Sequence, residues 1–390
     1  MVADGAQLLP NRIEQGGLEF GTPSTPARSG VARISIRHIM YLNIHHKIQT
    51  EPYGGFMRGK GVQYDTGTFP NGDTTRSIFD PATVAREMRV IADDLHCTTV
   101  RITGGDPERL TVAARYAAEA GLEVWFSPFP CELTEQELLP YFDDCADRAE
   151  ALRRDGARVV FVTGCELSLF ARGYLPGDTF NDRMETMRAA PPVRAAALAA
   201  IPERVNAFLS RVVASVRPRF GGPISYASIP IEHIDWTPFD IVGVDAYRNQ
   251  YNAATFREDL RQYFTHGKPV AVTEAGCCTF RGAGDWGAGG WTVIEEGGTV
   301  KPGTIRDEDE QVRYMNDLLP IFEAEGFDTI FWFSFAGFEL PHRPDPRHDL
   351  DLGSYGIVRM LDGAQGHTYP GMPWEPKQAF HALARHYEDR

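Results

Sequence analysis

Eight short apolar runs, each followed by sequence suited to a helix, constrain this chain more than any other feature. The runs are GVQYD (61–65), TVRIT (99–103), EVWFSPF (123–129), VVFVT (159–163), ISYASI (224–229), IVGVDAY (241–247), PVAVTEA (269–275) and TIFWFSF (329–335). They are β-branched or aromatic and nearly continuous, the pattern of strands covered on both faces. Asp80-Pro81 and Asp106-Pro107 each supply a capping carboxylate and a first-turn proline for the segment that follows. Thr134 and Glu137 form a capping box ahead of a third helical segment. Further helices are expected over 192–216, 252–265, 307–325 and 375–387. Eight strands alternating with helices predict an α/β fold, a (β/α)8 TIM barrel. The alternative is an open doubly wound sheet, which usually carries a Gly-rich phosphate loop after its first strand. Here that place is taken by TGTFPNGDTT. The barrel domain is expected over 59–390. Residues 1–58, with a leader rich in Gly, Pro, Ser and Ala, read as a partly flexible N-terminal extension.

Charge and cysteine usage exclude several function classes. The 390 residues carry a formal charge of −14, and no basic run exceeds Arg153–Arg154. That argues against nucleic acid and anionic membrane as partners. Six cysteines occur without a CxxC or a metal-ligand spacing, so they read as free thiols in a reducing compartment. No run of 18 apolar residues is present, and the N-terminus lacks the basic-then-apolar order of a signal peptide. The expected location is the cytoplasm. His45-His46 and the His342…His348 pair lack acidic or Cys partners at ligand spacing, so no metal and no cofactor are expected.

Barrel chemistry happens at the C-terminal ends of the strands. Those ends carry Asp65, Arg101, Ser127, Glu166, Glu232, Asp245, Tyr247, Glu274 and Trp332. Glu166 and Glu274 lie on strands four and seven, on opposite sides of the mouth. Side chains of that length can bring two carboxyls to within about 5–6 Å, the separation used by retaining glycosidases.

With TGCELS around Glu166 and VTEAG around Glu274, the sequence resembles a clan A retaining glycoside hydrolase. The resemblance covers about residues 60–390. It implies that Glu166 is the acid/base and Glu274 the nucleophile of a double displacement on a carbohydrate substrate. It also implies that Arg101 and Tyr247 donate to the nucleophile, and that Trp332 stacks on a sugar. Asp65 joins the expected substrate-binding set. The residue before the acid/base is usually Asn in the clan, where it contacts the sugar 2-hydroxyl. Here it is Cys165, a poor donor and acceptor. The chain is also similar to bacterial barrel proteins labelled abortive infection protein, a label that names no chemistry. Two rivals follow: a catalytically weak carbohydrate-binding or defence barrel, and a transglycosylase or lyase using the same glutamates.

The loop after strand seven, 276–305, is long and aperiodic, as functional loops are. Its Trp286 and Trp291 sit among glycines. Two readings stand equally: the rings stack on sugar faces, or they fold back to close the barrel top.

Overall fold

The structure is a computed structural model and describes residues 57–69 and 72–388. The expected N-terminal extension therefore lies almost wholly outside the described residues. The eight strands are β1 (Gly59–Asp65), β2 (Thr99–Gly104), β3 (Glu123–Pro128), β4 (Val159–Cys165), β5 (Ile224–Ala227), β6 (Val242–Asp245), β7 (Val270–Ala275) and β8 (Thr329–Trp332). All pair in parallel, in the order β5-β4-β3-β2-β1-β8-β7-β6. The two ends meet just beyond β5, where Ser228 N donates to Gly243 O at 3.2 Å and Asp245 N to Ser228 O at 2.9 Å. This is a (β/α)8 TIM barrel.

The helices start where the caps are. Asp80 accepts from Thr83 N at 2.9 Å, and Asp106 accepts from Glu108 N at 2.8 Å. Thr134 N donates to the Glu137 carboxylate at 2.8 Å, one half of the capping box. Two expectations are corrected in detail. Within 252–265 only Phe256–Arg261 is α-helical, followed by a 3-10 segment at Gln262–His266. The span 192–216 is two helices, Pro191–Leu198 and Ile201–Val216. Pro202 lacks a backbone N–H and so suits the first turn of a new helix, not the interior of a continuous one.

Strand alternation sorts side chains into two layers. Trp125, Val160, Val162, Cys165, Ala227, Ile241, Ala271 and Phe331 pack together inside the barrel. Their neighbours along each strand, such as Val100, Val124, Phe161 and Val272, face the helices. Strands β4 and β7 break this alternation. Val162 pairs with Ser225 and Cys165 with Ala227, so β4 carries one extra residue. Val244 pairs with Val272 and Asp245 with Glu274, so β7 carries one extra residue as well. Such bulges re-aim the side chains that follow them. Strict alternation from Val162 would turn Cys165 outward, yet it lies in the inner layer. Among the strands of the barrel, the two that bear the candidate glutamates each carry a bulge just ahead of them. Gly164, at φ +110°, supplies the conformational freedom in β4.

Candidate functional site

Glu274 is buried and held at both oxygens. Arg101 Nη1 donates to Oε1 at 2.9 Å, and the Tyr247 hydroxyl donates to Oε2 at 2.9 Å. The Arg101 guanidinium is itself fixed from three sides. Nη1 also reaches Gln63 Oε1 at 2.8 Å and Thr273 O at 3.0 Å, and Nε reaches Ser127 Oγ at 3.1 Å. Register explains this: Gln63, Arg101 and Trp125 are paired across β1, β2 and β3, so consecutive inward positions stack at one height. Burial works against the Arg101 charge, but the neighbouring Glu274 and Asp245 carboxyls outweigh it and hold the guanidinium firmly protonated. The glycine of VTEAG has a steric reason. A Cβ on Gly276 would lie 2.1 Å from Phe333 O, so only glycine lets β7 and the end of β8 approach this closely.

Glu166 follows β4 directly and adopts a left-handed backbone conformation, φ 45° and ψ 44°. Non-glycine residues seldom sit there without a local reason. Its N–H donates to Ala227 O at 3.0 Å, and its carbonyl accepts from Leu169 N at 2.9 Å. The carboxyl is pushed well above the usual range, first by burial and then by the charges of Asp245, Glu274 and Glu232. Beneath this turn lies Glu232, fully buried, which accepts from Ser168 N at 3.0 Å and from the Tyr226 hydroxyl at 2.9 Å. Burial raises the Glu232 carboxyl to about 7, against those hydrogen bonds.

Cys165 is 1% exposed, and its Sγ lies 3.7 Å from Glu274 Oε1 and 3.8 Å from Asp245 Oδ2. Burial, followed by the Asp245 charge, raises its thiol well above the ordinary range. Ligand atoms of Cys165, Asp245 and Glu274 all lie within 4.8 Å of one another. The positive charge at this cluster is already Arg101, hydrogen-bonded to Glu274, and the thiol holds its proton.

The remaining expected residues divide. Asp65 folds back on its own loop: one oxygen accepts from Gly67 N at 2.9 Å and the other from the Thr75 hydroxyl. Trp332 is fully buried among the outward-facing residues, edge-on to Tyr314 at 6.3 Å, and its Nε1 has no partner. It is not a ring of the mouth. Alternation puts Phe331 inside the barrel and Trp332 against the helix Glu308–Glu325. The next residue, Phe333, just past β8, is half-buried and edge-on to Tyr247 at 6.3 Å. Trp286 and Trp291 are 44% and 38% exposed. Trp291 lies 6.4 Å from Phe180, which stacks on Phe170 at 4.7 Å, and Phe170 belongs to the turn that Glu166 opens. Trp286 instead meets Phe280 and the Lys301 ammonium. The loop carrying both is pinned by Tyr355, whose hydroxyl donates to Gly287 O at 2.7 Å and accepts from Gly290 N at 2.9 Å.

Four participants had no role assigned from sequence. Asp245, Ser127 and Glu232 stood among the strand ends, but nothing in their local sequence marked them. Gln63 is inward-facing by the alternation of GVQYD, which was a usable signal.

No family model matches the chain, and no curated protein matches it. Solved structures do. A GH113 β-1,4-mannanase in a complex superposes with a TM-score of 0.55 at 14% identity, over 86% of this chain and 99% of that one. A GH113 β-mannanase from Alicyclobacillus acidocaldarius in complex with ManMIm gives 0.54 at 16% identity, over 86% and 99%. At these identities the likeness establishes the fold alone, a (β/α)8 barrel. More particularly, this chain is similar over most of its length to GH113 β-mannanases.

Proposed function

We propose that the chain is a retaining glycoside hydrolase with Glu274 as nucleophile and Glu166 as acid/base. The observation that carries the reading is the opposite treatment of two carboxyls at one mouth. Glu274 receives one donor on each oxygen, from Arg101 and Tyr247. Glu166 is kept as an acid by burial and by neighbouring negative charge. In the first step a Glu274 oxygen bonds to the anomeric carbon. The glycosidic C–O bond breaks, its electron pair passes to the leaving oxygen, and that oxygen takes the Glu166 proton. In the second step water attacks the anomeric carbon, gives a proton to Glu166, and the ester pair returns to Glu274. The substrate class is a glycoside or oligosaccharide. β-1,4-linked mannooligosaccharides belong in a first panel, because the structures compared above are mannanases.

Cys165 favours one second reading, a carbohydrate-binding barrel with weak turnover. Its thiol occupies the place where a sugar-binding amide is expected and turns toward Glu274 and Asp245. Turnover of nitrophenyl glycosides and mannooligosaccharides separates the two. Glu274→Gln and Glu166→Gln should each lower turnover by about 10³-fold or more, and an activated 2-fluoro sugar should label Glu274. Labelling elsewhere, with full activity in Glu274→Gln, refutes the assignment.

A further inference from the structure

Glu166 stands at the N-cap position of the one-turn helix Leu167–Phe170. A carboxylate there ordinarily turns back and accepts from the second or third N–H of the turn. The Glu166 side chain makes no such bond. The four N–H groups that open the turn are nonetheless all satisfied. Leu167 N donates to the Tyr226 hydroxyl at 2.8 Å, and Ser168 N donates to Glu232 Oε1 at 3.0 Å. Leu169 N and Phe170 N donate to the Glu166 carbonyl at 2.9 and 3.1 Å.

Tyr226 and Glu232 come from outside the turn, from β5 and from the short 3-10 segment Pro230–Glu232 that follows it. Both are fully buried, and the Tyr226 hydroxyl donates to the Glu232 carboxylate, at 2.9 Å to Oε1 and 3.0 Å to Oε2. Leu167 and Ser168 are buried as well, so their amides need a protein acceptor. An amide has one proton to give. Ser168 N, the usual target of a capping carboxylate, is therefore closed to Glu166 while Glu232 holds it. Self-capping would harm an acid/base in two ways. It would draw the carboxyl from the mouth onto its own backbone, and it would favour the charged form. The titratable groups that face Glu166 are Cys165 on its own strand, Glu232 beyond β5, Asp245 and Tyr247 from β6 and just past it, and Glu274 from β7. All are acids, so none of them favours an ionised Glu166. The amides of its own turn would.

We propose that Tyr226 and Glu232 form a substitute cap: they are positioning residues that take the Leu167 and Ser168 amides and so leave the Glu166 carboxyl free for the leaving group. The bulge in β4 and the left-handed backbone of Glu166 set the direction of the turn. The substitute cap keeps the side chain from being recaptured by it. The proposal rests on the acid/base assignment of Glu166.

A pair of substitutions at one position tests it. Glu232→Ala and Glu232→Gln both remove the Glu232 charge, but only Glu232→Ala removes the acceptor of Ser168 N. The difference between them reports the cap alone. Relative to Glu232→Gln, Glu232→Ala should lower the alkaline limb of the kcat/KM profile by about one pH unit. Its kcat should fall by about 100-fold with KM little changed, because the acid is misplaced and the sugar is not. A purely structural role would lower Tm without separating the two limbs. Crystal structures of both variants give a readout that needs no substrate. The Glu166 carboxyl should reach Ser168 N in Glu232→Ala and stay turned to the mouth in Glu232→Gln. Should Glu232→Ala fail to fold, Tyr226→Phe frees Leu167 N alone. It should move the limb in the same direction by about a few tenths of a unit, with the Glu166 carboxyl reaching Leu167 N in its structure. If wild type is active and Glu166 neither moves nor shifts its limb in these variants, the substitute cap is overturned and the glycosidase reading is untouched. If wild type turns over no glycoside but Glu166 swings onto the freed amide as described, the substitute cap stands and the glycosidase reading fails.

Discussion

Glu232 gives a prediction whose size follows from its surroundings. It is fully buried under the Glu166 turn, and its carboxyl is raised from 4.5 to about 7 by burial. The folded state therefore binds this proton more tightly than the unfolded chain does. Below pH 4.5 both states are protonated and the group costs nothing. Between 4.5 and 7 the unfolded chain releases the proton while the fold retains it, so stability falls as pH rises. Above 7 the loss is complete, at roughly 3 kcal/mol from about 1.4 kcal/mol per pH unit. Glu232→Gln removes the titration and keeps an oxygen for Ser168 N and the Tyr226 hydroxyl. The variant should match wild type at pH 4–4.5, apart from a constant offset, and gain roughly 3 kcal/mol on it by pH 8. At about 2 °C per kcal/mol, the difference in Tm should widen by about 5 °C across that range. Scanning calorimetry of both proteins at half-unit pH steps makes the measurement. A Tm difference that stays constant with pH would refute the reasoning, because it would mean Glu232 titrates alike in the folded and unfolded states.

Two further outcomes concern the mouth. Tyr247→Phe deletes a single hydroxyl bonded to Glu274 at 2.9 Å; kcat/KM should fall by about 10- to 100-fold, with Tm changed by less than about 3 °C, and an unchanged kcat/KM would deny Tyr247 the role proposed for it at Glu274. Phe333→Ala should raise KM while Trp332→Phe leaves KM alone and costs about 1–3 kcal/mol of stability, because Phe333 borders Tyr247 and Trp332 is core; substrate kinetics beside thermal unfolding distinguish the two.

The fold was legible because the strands are apolar on both faces and because three helices begin at caps written in plain sequence. The carboxylates at the ends of β4 and β7 were legible for the same reason, as charges that closely follow apolar runs. What stayed hidden depends on phase. TIFWFSF does not say which of its aromatics turns inward; the barrel places Phe331 inside and Trp332 against a helix. GVDAY does not say that Asp245 will meet Cys165 from another strand, since that contact is made across the closing seam and no local pattern encodes it. The helical break at Pro202 was visible as a proline, but the Ala-rich composition around it outweighed that signal.

Phase also accounts for the way the site is built. In an unbroken strand, residues on one face are two apart, and Thr273 and Glu274 would point to opposite sides. With one extra residue in β7, Thr273 reaches Asp245 and Glu274 reaches Arg101 and Tyr247, so two consecutive side chains serve the same mouth. The extra residue in β4 does the same for Cys165 and Glu166, with Gly164 taking the backbone conformation that a side chain would resist. Each bulge brings two consecutive residues to one side of the barrel. That is how the ends of β4, β6 and β7 bring Cys165, Asp245 and Glu274 within 4.8 Å of one another, with Arg101 bonded to Glu274.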